Sequence, residues 1–338
     1  MKRVQVGCVK TYIEFLSKFT KNPLEIASIK QKNMQKQIDL LQESLNNNDF
    51  ADFDIKQKLL SRKIHLFYNI LFERIREKEV EKMRFYYRGH YNIKYRLLPN
   101  AIRNNAEKEN YLYNEIITRA PNKFINSSHL QKLVTMQHYE CPTRLLDITS
   151  NPLVALYFAC TNTGCATCDF CNTGEVIMFA PFEREVLSFD SDKALILSCL
   201  PKFSLEEKRE LLKCCFNAIM QGKDRLKGGS AVIERLYHEI KSERPAFKNI
   251  IDPVDILTSY FVQPLKDNER IIKQDGAFII CGQYESKDDL EKSLDNLVVA
   301  RIKVTNKKRI LQELDYLGIN ESTLFPEIDH VAHYLRNR

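Results

Sequence analysis

The sequence predicts an α+β protein, with a mixed, mainly antiparallel sheet flanked by helices. Three observations carry this. Glycine and proline are scarce, 10 and 11 among 338 residues, too few for an all-β fold built from many tight turns. Apolar residues make up 44% of the chain, enough for a substantial core. Segments with helical apolar spacing outnumber the short β-branched and aromatic runs that read as strands.

In chain order, residues 9–19 place Val9, Ile13, Phe15, Leu16 and Phe19 at helical spacing. Pro23 opens a long polar helix that ends at the Asn46–Asp49 run. A second helix over about 55–82 carries Leu60, Ile64, Phe67, Leu71 and Ile75 as a narrow apolar stripe suited to one partner helix. Together 23–82 read as an antiparallel helical hairpin, a packing arm or, in the sharper reading, a homodimer contact. Residues 83–88 are aromatic and read as a strand that Gly89 breaks. Residues 91–103 form a basic loop, and 106–119 and 129–139 are helical. Beyond the centre of the chain, 174–181, 256–262, 276–281 and 297–304 read as strands. Segments 193–200, 205–220, 231–241 and 307–317 read as helices, the last with Gly318 as its C-cap. The stretch 321–335 closes the chain, broken at Pro326.

The stretch 137–159 concentrates the polar chemistry. Pro142 favours extended geometry, so 143–146 is expected as a short strand. Asp147, Thr149, Ser150 and Asn151 are cap or turn formers, and Pro152 suits the first turn of an apolar helix. Polar groups therefore gather where free N–H groups and the helix dipole favour an anion.

A net charge of +7 permits a nucleic-acid partner without requiring one. No apolar run of signal-peptide length opens the sequence, and none approaches the roughly twenty residues a membrane span needs. The expectation is a cytoplasmic protein with no membrane partner. Its ten cysteines are then thiols or metal ligands rather than disulfides.

Three motifs, Tyr87-Arg88-Gly89 within FYYRGH, HYECPTRLLDIT over 138–149 and RIIKQDGAF over 270–278, resemble in order and content the FRG domain. That bacterial and phage family is named for its Phe/Tyr-Arg-Gly motif. The ending LFPEIDHVAHYL is similar to the family's usual C-terminus. The resemblance implies a leading helix within 1–22, drawn from 4–19, a hairpin insertion at 23–82, and an FRG-like domain over 83–338 with a Cys-rich tip at 160–171. It brings no settled activity, so function is argued from the residues.

Arg88 can hold a phosphate or carboxylate bidentately, and Gly89 lets a ligand approach the backbone; a structural pairing with Asp147 is the competing reading. Arg144, Asp147, Arg88 and Arg270 are expected to form one mutually satisfied network, since charges flanked by apolar residues are costly unless paired. Arg270 and Gln274 fall on one face if they share a helical turn. His138 and His90 are the acid–base candidates. Tyr91, Lys94, Tyr95, Arg96 and Arg103 interleave basic and aromatic groups, a pattern suited to single-stranded nucleic acid as well as to an ordinary solvated loop. Cys160, Cys165, Cys168 and Cys171 have spacings that can wrap one structural zinc ion. An iron–sulfur cluster and a metal-free thiol-rich tip are the other readings.

The order of motifs is also similar to the ADP-ribosyltransferase superfamily: an Arg on a first strand, a Ser/Thr pair before an Ala- and aromatic-rich helix, and a Glu near a later strand. Carried over, Arg88 with Tyr87, Gly89 and His90 would hold NAD. Thr149 and Ser150 would brace the Arg-bearing strand, and Gln274 would contact the ribose. Gln274 stands where Glu is expected, with Glu269 nearby as a substitute. That resemblance implies an NAD-consuming toxin or defence effector acting on a nucleic-acid or protein acceptor. The alternative is a non-catalytic module that binds a nucleotide, nucleic acid or protein in an arginine-lined cleft.

Overall fold

A computed structural model describes residues 1–46, 82–161 and 173–337. The second arm of the expected hairpin and most of the Cys-rich tip lie outside the described residues.

The fold is α+β. Strands β1 (Lys2–Val6), β2 (Tyr86–His90), β3 (Leu145–Thr149), β4 (Gly174–Phe179), β5 (Val186–Ser188), β6 (Tyr260–Gln263), β7 (Gly276–Ile280) and β8 (Val298–Val304) form one sheet in the order β1-β8-β4-β2-β3-β7-β6-β5. The edge pairs β1/β8 and β5/β6 are parallel and the rest are antiparallel. Strand β4, in the interior of the sheet, is buried along its whole length, which fits its unalternating sequence.

Helices α1 (Val9–Thr20) and α2 (Pro23–Asn46) precede the Arg-Gly strand. Between β2 and β3 come α3 (Asn100–Asn105), α4 (Glu109–Arg119) and α5 (His129–His138). Helix α6 (Pro152–Cys160) follows β3. Helices α7 (Asp192–Cys199), α8 (Leu205–Met220), α9 (Ala231–Glu243) and α10 (Pro253–Leu257) lie between β5 and β6. Helix α11 (Glu269–Lys273) precedes β7 and α12 (Lys287–Asp295) precedes β8. Helices α13 (Lys307–Tyr316), α14 (Glu321–Leu324) and α15 (Ile328–Asn337) complete the described chain.

Several expectations need correction. The chain starts with an edge strand before its leading helix, because Val4 and Val6 alternate with Arg3 and Gln5 and pair in parallel with β8. Gly89 does not end β2, which runs on to His90. The central strand covers Leu145–Thr149 rather than 143–146, since β7 pairs with every residue as far as Thr149. Asp147 is therefore a strand residue. Residues 256–262 are split, because the Asp252 side chain caps α10 by accepting from Val254 N–H, and the strand begins only at Tyr260. Strand β5 and helix α12 had no reading in the sequence.

Helices α1, α6 and α13 pack with Tyr87, Val176, Met178 and Ile302 in one apolar cluster. Tyr12 is fully buried there and its hydroxyl donates to the Pro152 carbonyl, tying α1 to the start of α6. Helices α4, α5 and α7–α10 pack with Leu145, Phe278 and Ile280 in a second cluster. Ile148, Ile177, Phe179 and Ile279, the alternate residues of the same strands, form a third with Leu97, Leu98 and α12. The first two clusters thus share one face of the sheet, divided between β2 and β3.

Candidate functional site

That division is where the sheet opens. Strands β2 and β3 pair at a single position, Tyr87 with Thr149, and diverge beyond it. Each is fully paired on its other side, to β4 and to β7. A cavity of about 460 Å³ occupies the opening, between α5 and α6. Its walls include Tyr87, Arg88 and Gly89 from β2, Asp147, Ile148 and Thr149 from β3, and Arg270 and Gln274 from the turn before β7.

Arg88 spans the gap. Its Nη1 donates to the Asp147 carbonyl at 2.6 Å, a group that a continued ladder would have given to a strand N–H. The same nitrogen lies 3.5 Å from Asp147 Oδ2. Its Nε donates to His90 Nε2 at 3.1 Å. That bond makes His90 an acceptor. Burial first, then the charges of Arg88, Arg103 and Arg301, hold its pKa well below the ordinary value, so His90 is a neutral prop for Arg88. Burial pulls the Arg88 guanidinium down from its usual value, and Asp147 opposes this. Asp147 itself remains 54% exposed at its side chain.

Gln137, which the sequence reading did not single out, aligns this carboxylate. Its amide nitrogen donates to Asp147 Oδ2 at 2.9 Å, while its carbonyl accepts from Thr143 Oγ1 at 2.6 Å. Asn100, Glu140, Cys141, Phe158 and Phe278 also line the cavity without having been anticipated. Glu140 holds φ 59°, in the left-handed region that non-glycine residues seldom adopt. Glu140, Cys141 and Phe278 lie within the quoted motifs, Gln137 and Phe158 lie in the polar-rich stretch 137–159, and Asn100 carried no signal.

Gly89 has a packing reason of its own. A Cβ there would fall 2.1 Å from the Ala155 carbonyl and 2.6 Å from Ala159 N, so glycine lets α6 lie directly on β2. Thr149 and Ser150 brace the turn before β7. Thr149 Oγ1 donates to Gln274 O at 2.6 Å, and Ser150 N–H donates to Asp275 O at 3.0 Å. Thr149 meets the Arg-bearing strand through its pairing with Tyr87. Ser150 does not line the cavity.

Arg270 and Gln274 do share a helical turn, and both face the cavity. The C-terminal segment holds them there. The Arg270 guanidinium lies 4.5 Å from the centre of the Phe325 ring, and Gln274 Nε2 donates to the Leu324 carbonyl at 3.0 Å. Phe325 also packs edge-on against Phe158, with ring centroids 6.0 Å apart. His138 lines the cavity with Nε2 3.9 Å from Glu327. Burial and then Arg270 lower its pKa, against the pull of Glu327. Glu269 is exposed and outside the cavity.

The expected four-residue network does not form. Arg144 is 1% exposed and points away from the cavity. Its Nε and Nη2 donate to the two Glu109 oxygens at 2.9 and 2.7 Å, and Lys208 Nζ donates to Glu109 at 2.6 Å. Burial would raise the Glu109 carboxyl, but Arg144 and Lys208 bring it down to about 2. Arg144 is scaffold. Residues of the 91–103 loop are engaged within the protein: Arg96 bonds Asp288 and Glu291, and Arg103 Nη2 donates to Leu98 O at 2.7 Å.

Cys160 closes α6, buried, with its thiol pushed up to about 12 by burial. Cys165, Cys168 and Cys171 lie outside the described residues, so the four-thiol cluster has no described geometry. Among the described residues no group of three or more His, Cys, Asp or Glu side chains is arranged to hold a metal ion, and no helix is long and apolar enough to cross a membrane.

Fold and site define an α+β protein with an arginine- and aromatic-lined cavity at a split in its sheet. Residues 83–166 match the family model of the FRG domain, a stretch that runs from the approach to β2 through α6 and contains Arg88, Gln137 and Asp147. No curated protein and no solved structure matches the chain. These comparisons give no support to the similarity with ADP-ribosyltransferases.

Proposed function

We propose that the cavity binds a nucleotide-like ligand, with NAD the first to try. The observation that carries this is Arg88. It is a largely buried guanidinium at the wall of a cavity of about 460 Å³, held by a carbonyl, a neutral His90 and an aligned carboxylate 3.5 Å away. A ligand phosphate can replace the looser Asp147 contact while the other two bonds keep the fork oriented. Arg270 supplies a second cation from a separate element. Tyr87, Phe158 and Phe278 supply apolar and aromatic surface for a ring, which suits a site of this volume.

ADP-ribosyl transfer is the second reading, favoured by one observation: Arg88, Thr149 and Gln274 line the same cavity in the chain order that resemblance requires. In that reaction the nicotinamide–ribose bond breaks, nicotinamide leaves with the bonding pair, and an acceptor attacks the ribose carbon. With Glu269 outside and Gln274 neutral, the carboxylates lining the cavity are Asp147, which faces Arg88, and Glu140, and Asp147 is the one we assign to the developing positive charge. A cellular role as an NAD-consuming toxin or defence effector follows only if turnover occurs.

The test is calorimetric titration of the protein with NAD and with ADP-ribose, alongside nicotinamide release, for wild type and Arg88→Lys. Binding without release, weakened in the variant, supports the binding module. Release that is lost in a folded variant supports the transferase. Absence of binding by either ligand removes the proposal.

A further inference from the structure

Helix α5 ends on a residue that its geometry does not favour. Past His138 the chain turns through Tyr139 into Glu140. Glu140 N–H donates to the Gln137 carbonyl at 3.1 Å and Cys141 N–H to the Met136 carbonyl at 2.9 Å, the paired bonds of a Schellman cap. Helices α8 and α13 end with the same pair of bonds, made by Gly222 and Lys223 and by Gly318 and Ile319. In those two helices glycine holds the left-handed position, at φ 69° and 75°. In α5 it is held by glutamate, at φ 59°. The other non-glycine residues with positive φ among the described residues are Asn126, Asp275 and Asn306, short side chains that tolerate this region. Glu140 therefore carries a steric cost that glycine would not. It also places a carboxylate at a helix C-terminus, where the dipole favours a cation.

No contact among the described residues offsets that cost. The side chain is exposed, and no hydrogen bond or ion pair holds its carboxylate. What Glu140 does have is a place on the wall of the cavity that Arg88 and Arg270 line. Asp147 is aligned by Gln137 and faces Arg88, so Glu140 is the unengaged carboxylate of that wall. A non-glycine residue kept in a disfavoured conformation at a site points to a role there.

A carboxylate only accepts, so its partner on a ligand is a donor. Adjacent ribose hydroxyls offer two O–H groups to its two oxygens, and an acidic residue accepting from a ribose hydroxyl is a recurrent contact in nucleotide sites. The exposure of Glu140 puts it where the cavity meets solvent, while Tyr87 and Phe278, the surface for a base, are buried. The sugar is then the part of a nucleotide that reaches Glu140. We propose that Glu140 sets the specificity of the cavity by accepting the 2′- and 3′-hydroxyls of a ribonucleotide whose phosphates meet Arg88. The inference rests on the nucleotide reading above and adds the sugar to it.

The experiment is calorimetric titration of wild type and Glu140→Gly with ADP and with 2′,3′-dideoxy-ADP, alongside melting curves. Wild type should bind ADP about 10-fold more tightly than the dideoxy nucleotide, the scale of one hydrogen bond to a charged group. Glycine suits the left-handed position, so the melting temperature of Glu140→Gly should hold or rise by about 1–3 °C. Its ADP affinity should fall about 10-fold, and the two nucleotides should then bind alike. Equal binding of the two by wild type, or a preference that survives in Glu140→Gly, overturns the assignment and leaves the nucleotide reading standing. A lower melting temperature with both affinities falling together makes Glu140 a structural cap and overturns it too. Absence of ADP binding by wild type also overturns it, and titration with NAD then shows whether the nucleotide reading falls with it.

Discussion

Two arginine–carboxylate pairs in this molecule use the same chemistry to opposite ends. Arg144 and Glu109 are 1% and 4% exposed at their side chains, bonded through both carboxylate oxygens, with Lys208 completing the set. Arg88 and Asp147 meet across an open seam at 3.5 Å, with the carboxylate half in solvent. The first pair is closed to any ligand because every strong position is taken. The second leaves a guanidinium anchored by a backbone carbonyl and a neutral histidine, free to exchange its anionic partner. Whether a buried charge is scaffold or site depends here on how completely its partners enclose it.

The largest effect expected from breaking this contrast is at Glu109. Glu109→Gln leaves Arg144 and Lys208 buried without a counter-charge and should cost about 3–5 kcal/mol in urea unfolding. A loss below about 1 kcal/mol would place Arg144 in the same open class as Arg88.

Acid titration tests the same triad with the native residue. The folded Glu109 carboxyl stands at about 2, below its ordinary 4.5. A depressed carboxyl contributes stability that is fully present above its unfolded value and is lost as pH falls toward its folded one. Stability should therefore decline from about pH 5 to about pH 2 by on the order of 3 kcal/mol from this group. Glu109→Gln should flatten that part of the profile, and an unaltered acid limb in the variant would count against the assignment.

Arg88→Lys is expected to behave differently from any change in the triad. Nucleotide affinity should fall about 10- to 100-fold, because an ammonium cannot span carbonyl, histidine and phosphate with a planar fork. Stability should change by no more than about 2 kcal/mol. A variant that retains affinity but loses most of its stability would make Arg88 scaffold too.

The smallest effect concerns the C-terminal segment. Phe325→Ala removes the ring beneath Arg270 and should weaken nucleotide binding about 3-fold, the scale of a single partly exposed cation–π contact. Tighter binding in that variant would mean that Phe325 competes with ligand for Arg270.

Much of the scaffold was legible in order along the chain. The helices over 9–19, 205–220 and 307–317 carry their apolar spacing locally, and Gly318 indeed takes the left-handed conformation, at φ 75°. The strands at 174–181 and 276–281 show their burial as apolar runs, over Val176–Phe179 and Ala277–Cys281. β1 and β5 were illegible because short edge strands take their identity from a partner distant in sequence. The cut at 256–262 was hidden because one capping bond, Asp252 to Val254, outweighs the β-propensity of the residues that follow.

Local chemistry fixed the α+β class, the cap at Asn151, the turn carrying Arg270 and Gln274, and the concentration of polar residues over 137–159. Tertiary structure alone decided which arginine is enclosed. In the sequence Arg88 and Arg144 are alike, each a cation at a strand and each with Asp147 within apparent reach. Glu109, the carboxylate that claims Arg144, lies 35 residues before it on α4, and Lys208, which shares that carboxylate, lies further along on α8. Only packing those helices together could show that one guanidinium is satisfied and the other faces an open cavity. Ion pairing acts over a few ångströms, and the spacing of residues along the chain does not report that distance.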